Sequence, residues 1–587
     1  MPIRILNRLH TKLILALFQD ALLISSLLSL AFVTGCFKSG PELPKGKENG
    51  TSEIDSTSKS QVNATTRIAF REVNNPLLSS VLFKNGSDAG MNSILEIMGG
   101  GVSCFDFDLD GNCDLLFSGG GVIDQAKKTV GGQASYFLRN RGEWQFEDCI
   151  RQSSIDTSAM YTHGAAIADY NNDGFEDALF YGYRGILLYQ NQGDGTFLQV
   201  DLNLPTISFP WLTAAAWFDL ENDGDLDLHL VSYVNWDFET HFVCASASGK
   251  ADVCSPTSFQ GSIDLTLANQ NDGTFVDATQ QLQGENNGRG LGVVAARMEA
   301  HLPTSLYVAN DLSPNFFYAH DEKNKIVERG LLSGLAVDAQ GRANGSMGVA
   351  LLDYNLDEKF DIFVTNFEHE DLALYQNNGN DLYRHSSRET RLSGLTNGVV
   401  GFGVVAADLD LDGDEDVVLT AGHVYYHPAK GTTAQKPVVL ENQAHSWFQR
   451  ASVTCEYLNQ AHIGRGLATA DFDNDGDLDL VVTHLDAPPA LLENRVNQTD
   501  HHTLRLKMIG TRTNRSAVGA IATLEVDGVR MSRQVYGGGS YLSSSHSAAQ
   551  WGWKGNPKGK LKVTWLDGQS QEIELGASNQ DYTLIEP

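Results

Sequence analysis

Six nine-residue stretches carry oxygen-bearing side chains at positions 1, 3, 5 and 9: Asp106, Asp108, Asp110 and Asp114; Asp169, Asn171, Asp173 and Asp177; Asp219, Glu221, Asp223 and Asp227; Asp353, Asn355, Asp357 and Asp361; Asp408, Asp410, Asp412 and Asp416; Asp471, Asp473, Asp475 and Asp479. That spacing suits the binding of a hard cation. Side-chain oxygens at 1, 3 and 5, a backbone carbonyl at 7 and a carboxylate at 9 can wrap one calcium ion, while glycine at 6 permits the sharp turn. Glycine fills position 6 in every stretch except the one beginning at Asp353, which has Glu358 there. A single such loop is an ordinary surface turn; six in corresponding places point to about six Ca2+ ions per chain. Their expected role is structural stapling rather than signalling or catalysis, because repeats are stabilised by local closure.

The stretches start 63, 50, 134, 55 and 63 residues apart. The gap of 134 is about two periods and hides a decayed copy at Arg297-Met-Glu299-Ala-His301. Arg297, His301 and Ser305 stand there where carboxylates are needed, so this loop is expected to hold no ion. Each loop lies between two apolar runs, and a second motif recurs downstream, as in Leu187-Leu-Tyr-Gln-Asn191-Gln-Gly and Leu374-Tyr-Gln-Asn377-Asn-Gly. Short apolar runs punctuated by Asn-Gly and Asp-Gly are strands joined by tight turns. Each repeat then supplies four strands, with the acidic loop between the first and second. Seven such units, none able to bury its faces alone, make an all-β fold: a seven-bladed β-propeller followed by a small C-terminal antiparallel β domain. The seventh repeat ends at Asn494 without a fourth strand. Residues 67–73 match the end-of-repeat pattern of residues 275–279 and are expected to close the ring, removing two exposed sheet edges.

The pattern resembles the FG-GAP or VCBS-type repeats of integrin-alpha-like propellers. From about Ser93 to the C-terminus the chain is similar to the cartilage acidic protein family, on residues 94–101, 346–349 and 464–468 before individual loops. Residues 510–519, 537–541 and 563–568 resemble the ASPIC/UnbV domain that closes such proteins, although Trp565-Leu-Asp-Gly568 departs from the usual Trp-Pro-Ser-Gly and Gly552-Trp553 stands where Gly-Leu-Gly is common. The expected organisation is a lipoprotein signal at 1–35, a tether at 36–66, the propeller at 67–498 and the ASPIC/UnbV-like domain at 499–587.

Arg4, Arg8 and Lys12 precede an apolar run that ends in Val33-Thr34-Gly35-Cys36, the layout of an export signal. The last four residues resemble a bacterial lipobox, which implies cleavage before Cys36 and its lipidation; ordinary secretion and an uncleaved anchor are the alternatives. The chain is therefore expected in the bacterial cell envelope, held on a membrane and facing periplasm or exterior. Of the remaining cysteines, Cys244 and Cys254 bracket a polar loop that closes easily and form the favoured disulfide. Cys104 and Cys113 flank the first acidic loop, and buried free thiols are as good a reading of them as a bridge.

With 42 Lys and Arg against 73 Asp and Glu, the 587 residues carry a formal charge of -31. Such a chain is repelled by phosphate backbones, so nucleic acid is not an expected partner. Residues 501–587 carry ten basic against seven acidic residues, an excess of three, with no basic run to support RNA recognition. His423 and His427 are a metal pair only on a helix, and their position after a strand and before Pro428 favours a structured loop. The aromatic insertion at Trp236 reads as a recognition surface or, more commonly, as packing. No catalytic constellation stands apart from the acidic loops. The expectation is a scaffold that binds a protein or glycan; the competing class is a propeller-based enzyme acting on polysaccharide, with its site at the central channel or the Trp236 insertion.

Overall fold

The computed structural model describes residues 68–587 apart from 203, 205, 206, 497, 498, 577 and 578. Cys36 with its lipobox, and Arg67, lie outside the described residues. Residues Thr65–Pro587 form one compact unit.

Seven antiparallel sheets of repeat strands follow one another, each with a loop between the first and second strands that is acidic in all but the fourth. The first strands are Val102–Phe105, Thr162–Ala168, Leu212–Phe218, Gly290–Arg297, Val349–Leu352, Gly401–Ala407 and Gly464–Ala470. Each neighbours the next, and the seventh neighbours the first, which closes a β-propeller around a central channel. Small residues such as Ala165, Ala166, Ala214, Ala215 and Ala295 let these strands crowd the axis while staying buried. The apolar core lies between adjacent sheets. One cluster joins Phe105, Phe137 and Phe180 of the first two; another joins Val294, Tyr307, Val349 and Ile362 of the fourth and fifth. The decayed fourth repeat keeps its four strands, so the hydrophobic pattern has outlived the acidic one.

Ring closure follows the expected route. Phe70–Glu72 pairs antiparallel with Ala490–Asn494, Phe70 opposite Asn494 and Glu72 opposite Leu492, and supplies the fourth strand of the seventh sheet. Insertions depart from the four-strand plan. The first repeat adds a hairpin, Gly120–Asp124 with Thr129–Gly132, and the third adds a short hairpin tied by the Cys244–Cys254 disulfide. Cys104, Cys113, Cys149 and Cys455 are thiols, all but Cys149 buried.

The C-terminal domain has two sheets, one of four strands within residues 521–574 and one of three. Here the expectation of a purely antiparallel domain needs correction: His501–Ile509 runs parallel to Gln580–Ile585, because the chain's last strand returns alongside the domain's first after a long excursion. The domain is also no separate appendage. Between Gln534 and Ala549 it sends a strap of Gly and Ser down the propeller channel, where Gly537–Gly538 pairs with Val294 and Ala295. Ser540 exchanges backbone bonds with Val349 (2.6 and 3.1 Å), and its hydroxyl donates to Leu467 O (2.6 Å). Ser544 N donates to Val102 O and Ser544 O accepts from Cys104 N, both at 2.9 Å, while Ser544 Oγ donates to Ala165 O (3.1 Å). Glycine is required in such a passage: a Cβ on Gly537 would lie 2.0 Å from Trp217 O.

Candidate metal centres

All six acidic loops are built alike. The position-1 carboxylate accepts the amides of positions 5 and 6, as Asp106 does from Asp110 and Gly111 (3.0 Å each) and Asp408 from Asp412 and Gly413 (3.0 and 3.1 Å). The turn needs two left-handed residues. Position 6 has φ from 87° to 104° in the glycine loops, and Glu358 adopts 64°; position 4 is also left-handed, with Leu109 at 58°, Asn172 at 59° and Leu411 at 56°. Asparagine at position 4 in three loops was the sequence signal for that second residue.

The position-9 carboxylate opens the second strand and is buried. It accepts the position-2 amide and the amide of an asparagine on the third strand: Asp114 from Phe107 (3.2 Å) and Asn140 (2.7 Å), Asp416 from Leu409 (3.3 Å) and Asn442 (2.8 Å). The asparagine side chain then crosses to the preceding blade. Asn140 Nδ2 donates to Phe472 O, Asn191 to Phe107 O, Asn269 to Tyr170 O, Asn377 to Met298 O, Asn442 to Tyr354 O and Asn494 to Leu409 O, at 2.8 to 3.1 Å. Six of seven junctions are therefore tied through the loops. The recurrent asparagine was visible in the sequence; its partner on another repeat was not.

Three loops bring carboxylates together. Oxygens of Asp106, Asp108 and Asp114 lie within 4.8 Å of one another, as do those of Asp408, Asp410 and Asp412, and those of Asp471, Asp473 and Asp479. The other three are less convergent. Asn171 and Asn355 occupy position 3 in two of them, and Asn171 Nδ2 turns to Asp173 Oδ2 (2.9 Å). Glu221 in the third accepts from Gln281 Nε2 (3.3 Å) near the surface. Burial pushes Asp114, Asp177 and Asp227 up to about 9, and Asp169 and Asp219 up to about 6, with neighbouring carboxylates adding to the rise. Within the convergent loops, Asp108 Oδ1 and Asp473 Oδ1 are buried without a hydrogen-bond donor. Clustered, desolvated carboxylates with acceptor atoms left over fit a hard cation.

Local cations touch some loops. Arg139 contacts Asp108 and Asp110, the latter at 2.9 Å, and Lys359 Nζ lies 2.9 Å from Asp357. In the decayed fourth repeat the guanidinium takes over the loop. Arg297 Nε donates to Leu302 O (3.1 Å) and Nη2 to Ala300 O, the carbonyls of positions 6 and 4, while Nη1 reaches Trp565 O (2.9 Å) and Gly519 O (3.4 Å) of the C-terminal domain. A fixed cation gathers the loop's oxygens where the sequence had suggested only the loss of ligands.

With this repeat geometry established, the family comparisons agree with it. The model of an FG-GAP-like repeat matches residues 169–230 and 309–419, and that of ASPIC and UnbV matches residues 510–587. The chain thus contains FG-GAP-like repeats and an ASPIC and UnbV domain. It is similar to cartilage acidic protein 1 of Xenopus tropicalis, 23% identical over 529 residues that cover 83% of this chain and 75% of that protein. The human cartilage acidic protein 1 is 24% identical over 323 residues, 51% of this chain and 44% of its own length. Among solved structures, an Agrocybe aegerita lectin described as recognising non-reducing terminal N-acetylglucosamine covers 66% of this chain and 86% of its own at 14% identity and a TM-score of 0.38. A Burkholderia pseudomallei lectin covers 67% and 96% at 10% identity and a TM-score of 0.38. Neither likeness bears on the ligand of this chain.

The ASPIC and UnbV domain sits on the loop face of the FG-GAP-like repeats. Its modest positive excess is directed inward: Arg515 lies 3.7 Å from Asp169, Arg505 3.5 Å from Asp471, Arg530 2.7 Å from Glu358 and Arg533 3.4 Å from Glu415. Beside its strap remains a cavity of about 180 Å³ lined by Glu176, Glu415, Arg533 and His546 among others. The opposite mouth is roofed by the other candidates. His423 is in a loop, its Nδ1 accepting from Tyr425 N (3.0 Å), and the amides of Tyr426 and His427 are capped by Asp252 (2.9 and 2.8 Å). That arrangement excludes a helical His423–His427 metal pair. Trp236 is buried against Tyr183, Trp211 and Phe238, so its insertion packs, while Phe242 beside the disulfide stays 45% exposed. A disulfide belongs to an oxidising compartment, and the chain reads as an extracellular protein.

Proposed function

We propose that the protein is a calcium-stabilised propeller scaffold for extracytoplasmic binding or adhesion, held on the bacterial envelope by lipid at Cys36. The observation that carries the calcium reading is the convergence of three carboxylates in each of three loops, two of which leave buried position-3 oxygens without donors. Bound there, the ions neutralise clustered charge and fix each loop between its strands. The chain's own part is to orient the position-1 and position-9 carboxylates through backbone amides and to carry that order across the blade junctions through the asparagines. Its ligand is a protein or glycan, met on surface other than the strap-filled channel.

Metal analysis of the purified protein should find six calcium ions per chain, with the Arg297 loop empty. Seven ions, none, or a melting curve indifferent to chelator would sink the calcium reading. Membrane fractionation of Cys36→Ala tests the anchor: release from the membrane is expected, and unchanged fractionation without lipid on the N-terminal peptide rejects it. Several acyl chains hold a protein firmly, whereas one binds only marginally.

A further inference from the structure

The acidic loops are also the dock of the ASPIC and UnbV domain, and the docking atoms belong to the loop turns themselves. Asp408 Oδ2 accepts Gly552 N (2.9 Å), and Gly476 O accepts Gln550 Nε2 (2.7 Å). Asn172 Oδ1 accepts Arg515 N (2.8 Å), Asn474 Oδ1 accepts Arg505 Nη1 (2.6 Å), and Ser516 Oγ accepts Asp169 N (2.9 Å). At Gly224 an added Cβ would stand 2.8 Å from Arg512 O, so the domain also seats against that turn. These contacts fall on positions 1, 4 and 6 of four loops, the positions whose geometry an ion at the loop would set.

Beyond the dock, the same domain threads its strap through the channel and bonds to first strands around the ring. Val404 N donates to Ser540 Oγ (3.2 Å), Thr469 N to Ser545 Oγ (3.1 Å) and Val102 N to Ser543 Oγ (3.2 Å). The strap itself is mostly glycine and serine with few apolar anchors; Val535, Tyr541 and Leu542 are its buried exceptions. Its seat therefore depends on hydrogen bonds to a ring whose shape, and on a dock whose surface, the loops determine.

We infer that ion occupancy of the acidic loops and seating of the C-terminal domain are one coupled equilibrium, in which loss of the ions releases the strap from the channel. The inference rests on the calcium reading above. Without ions, like charges within a loop repel, the position-4 and position-6 turn relaxes, and the acceptors offered to Gly552, Gln550, Arg515 and Arg505 move apart. The fourth loop, held by Arg297, stays as the hinge, because its bonds to Trp565 O and Gly519 O need no ion. Coupling is reciprocal: whatever unseats the strap must weaken ion binding by the same factor.

Hydrogen exchange on the full chain, with and without EGTA and with bound calcium measured in the same samples, reads this directly. Peptides covering residues 537–546 should exchange at least tenfold faster once the ions are removed, before the outer blade strands open, and should recover when calcium returns. Ions lost with the strap still protected would overturn the coupling and leave the calcium reading standing; no ions at any stage would overturn both. Gly538→Ala supplies the reciprocal arm, since its φ of 77° and a Cβ 2.2 Å from Val293 O exclude a seated strap. Calcium affinity several-fold weaker than in the unmodified chain is expected, and an unchanged affinity rejects the inference. Should that variant fail to fold, the exchange experiment on the unmodified chain decides alone.

Discussion

The fourth loop and its six relatives solve one problem in two ways. In both, a tight turn must gather oxygens between the first two strands of a blade. The six relatives do so with acids, whose position-1 and position-9 carboxylates are buried, a cost that a bound cation would offset. The fourth does so with Arg297, whose guanidinium reaches two carbonyls of its own loop and two of the C-terminal domain. The difference separates fold from ion. Blade four needs no acidic loop to form its sheet, so what the acids add elsewhere is coupling between neighbours and to the domain above.

The largest expected break of this comparison is chelation. If each loop binds calcium at about a hundredfold above its Kd, every ion contributes about 2.7 kcal/mol, and several together govern the melting temperature. EGTA should lower the melting temperature by more than about 10 °C, because six ions together contribute about 16 kcal/mol against an unfolding entropy of about 1 kcal/mol per degree for a chain of this size. Amides of the loops beginning at Asp106, Asp408 and Asp471 should lose exchange protection first. The Leu302 amide, which donates to Glu299 O (3.0 Å), should keep its own until global unfolding. Equal deprotection of all seven loops would erase the distinction.

Next comes the fixed cation. Arg297→Met keeps the volume of the stem and removes the donors from Ala300, Leu302, Gly519 and Trp565. Loss of a donor that is itself 4% exposed leaves the carbonyls of buried Gly519 and Trp565 unsatisfied and should cost about 2 to 5 kcal/mol in urea denaturation, and added calcium should not restore it. Rescue by calcium would mean that the loop still binds an ion and that the guanidinium only replaces it.

A smaller effect tests the junctions. In six of them an asparagine ties the position-9 carboxylate to the blade before; His320 stands at that place in the fourth repeat, facing Asn324 Oδ1 (3.1 Å) instead. Asn442→Ala leaves Tyr354 O without its donor and should cost about 1 to 3 kcal/mol, with faster exchange at the fifth and sixth blades alone. A loss under a few tenths of a kcal/mol would show that the asparagines accompany the loops without tying them.

How far the sequence reached depends on whether a partner shares the period. The acidic spacing recurs, so the ring and the loops were legible, and the strand Phe70–Glu72 was legible because the seventh repeat lacked one. The strap was not, since Gly537-Gly-Gly-Ser540 has no side-chain pattern and its partners are backbone atoms on strands scattered through the ring. Nor was Arg297: its acceptors Gly519 and Trp565 lie 222 and 268 residues away. Trp236 read as packing more readily than as a recognition surface, and aromatic content alone does not tell which side faces water.

The finest test lies between loops of one kind. Glu358 adopts a φ of 64° where five relatives have glycine, and a non-glycine residue there costs on the order of 1 kcal/mol. Its carboxylate also pairs with Arg530 at 2.7 Å, but both side chains are more than 40% exposed, so the pair contributes about 0 to 1 kcal/mol. The two terms nearly cancel, and Glu358→Gly alone should stabilise by a few tenths of a kcal/mol at most. The Arg530→Ser background removes the pair beforehand, so the backbone relief should then appear whole, about 1 kcal/mol in urea denaturation. Glycine that destabilises even in that background would mean that Glu358 holds its turn by contacts other than Arg530. The left-handed position would then not be what sets this loop apart from its five relatives.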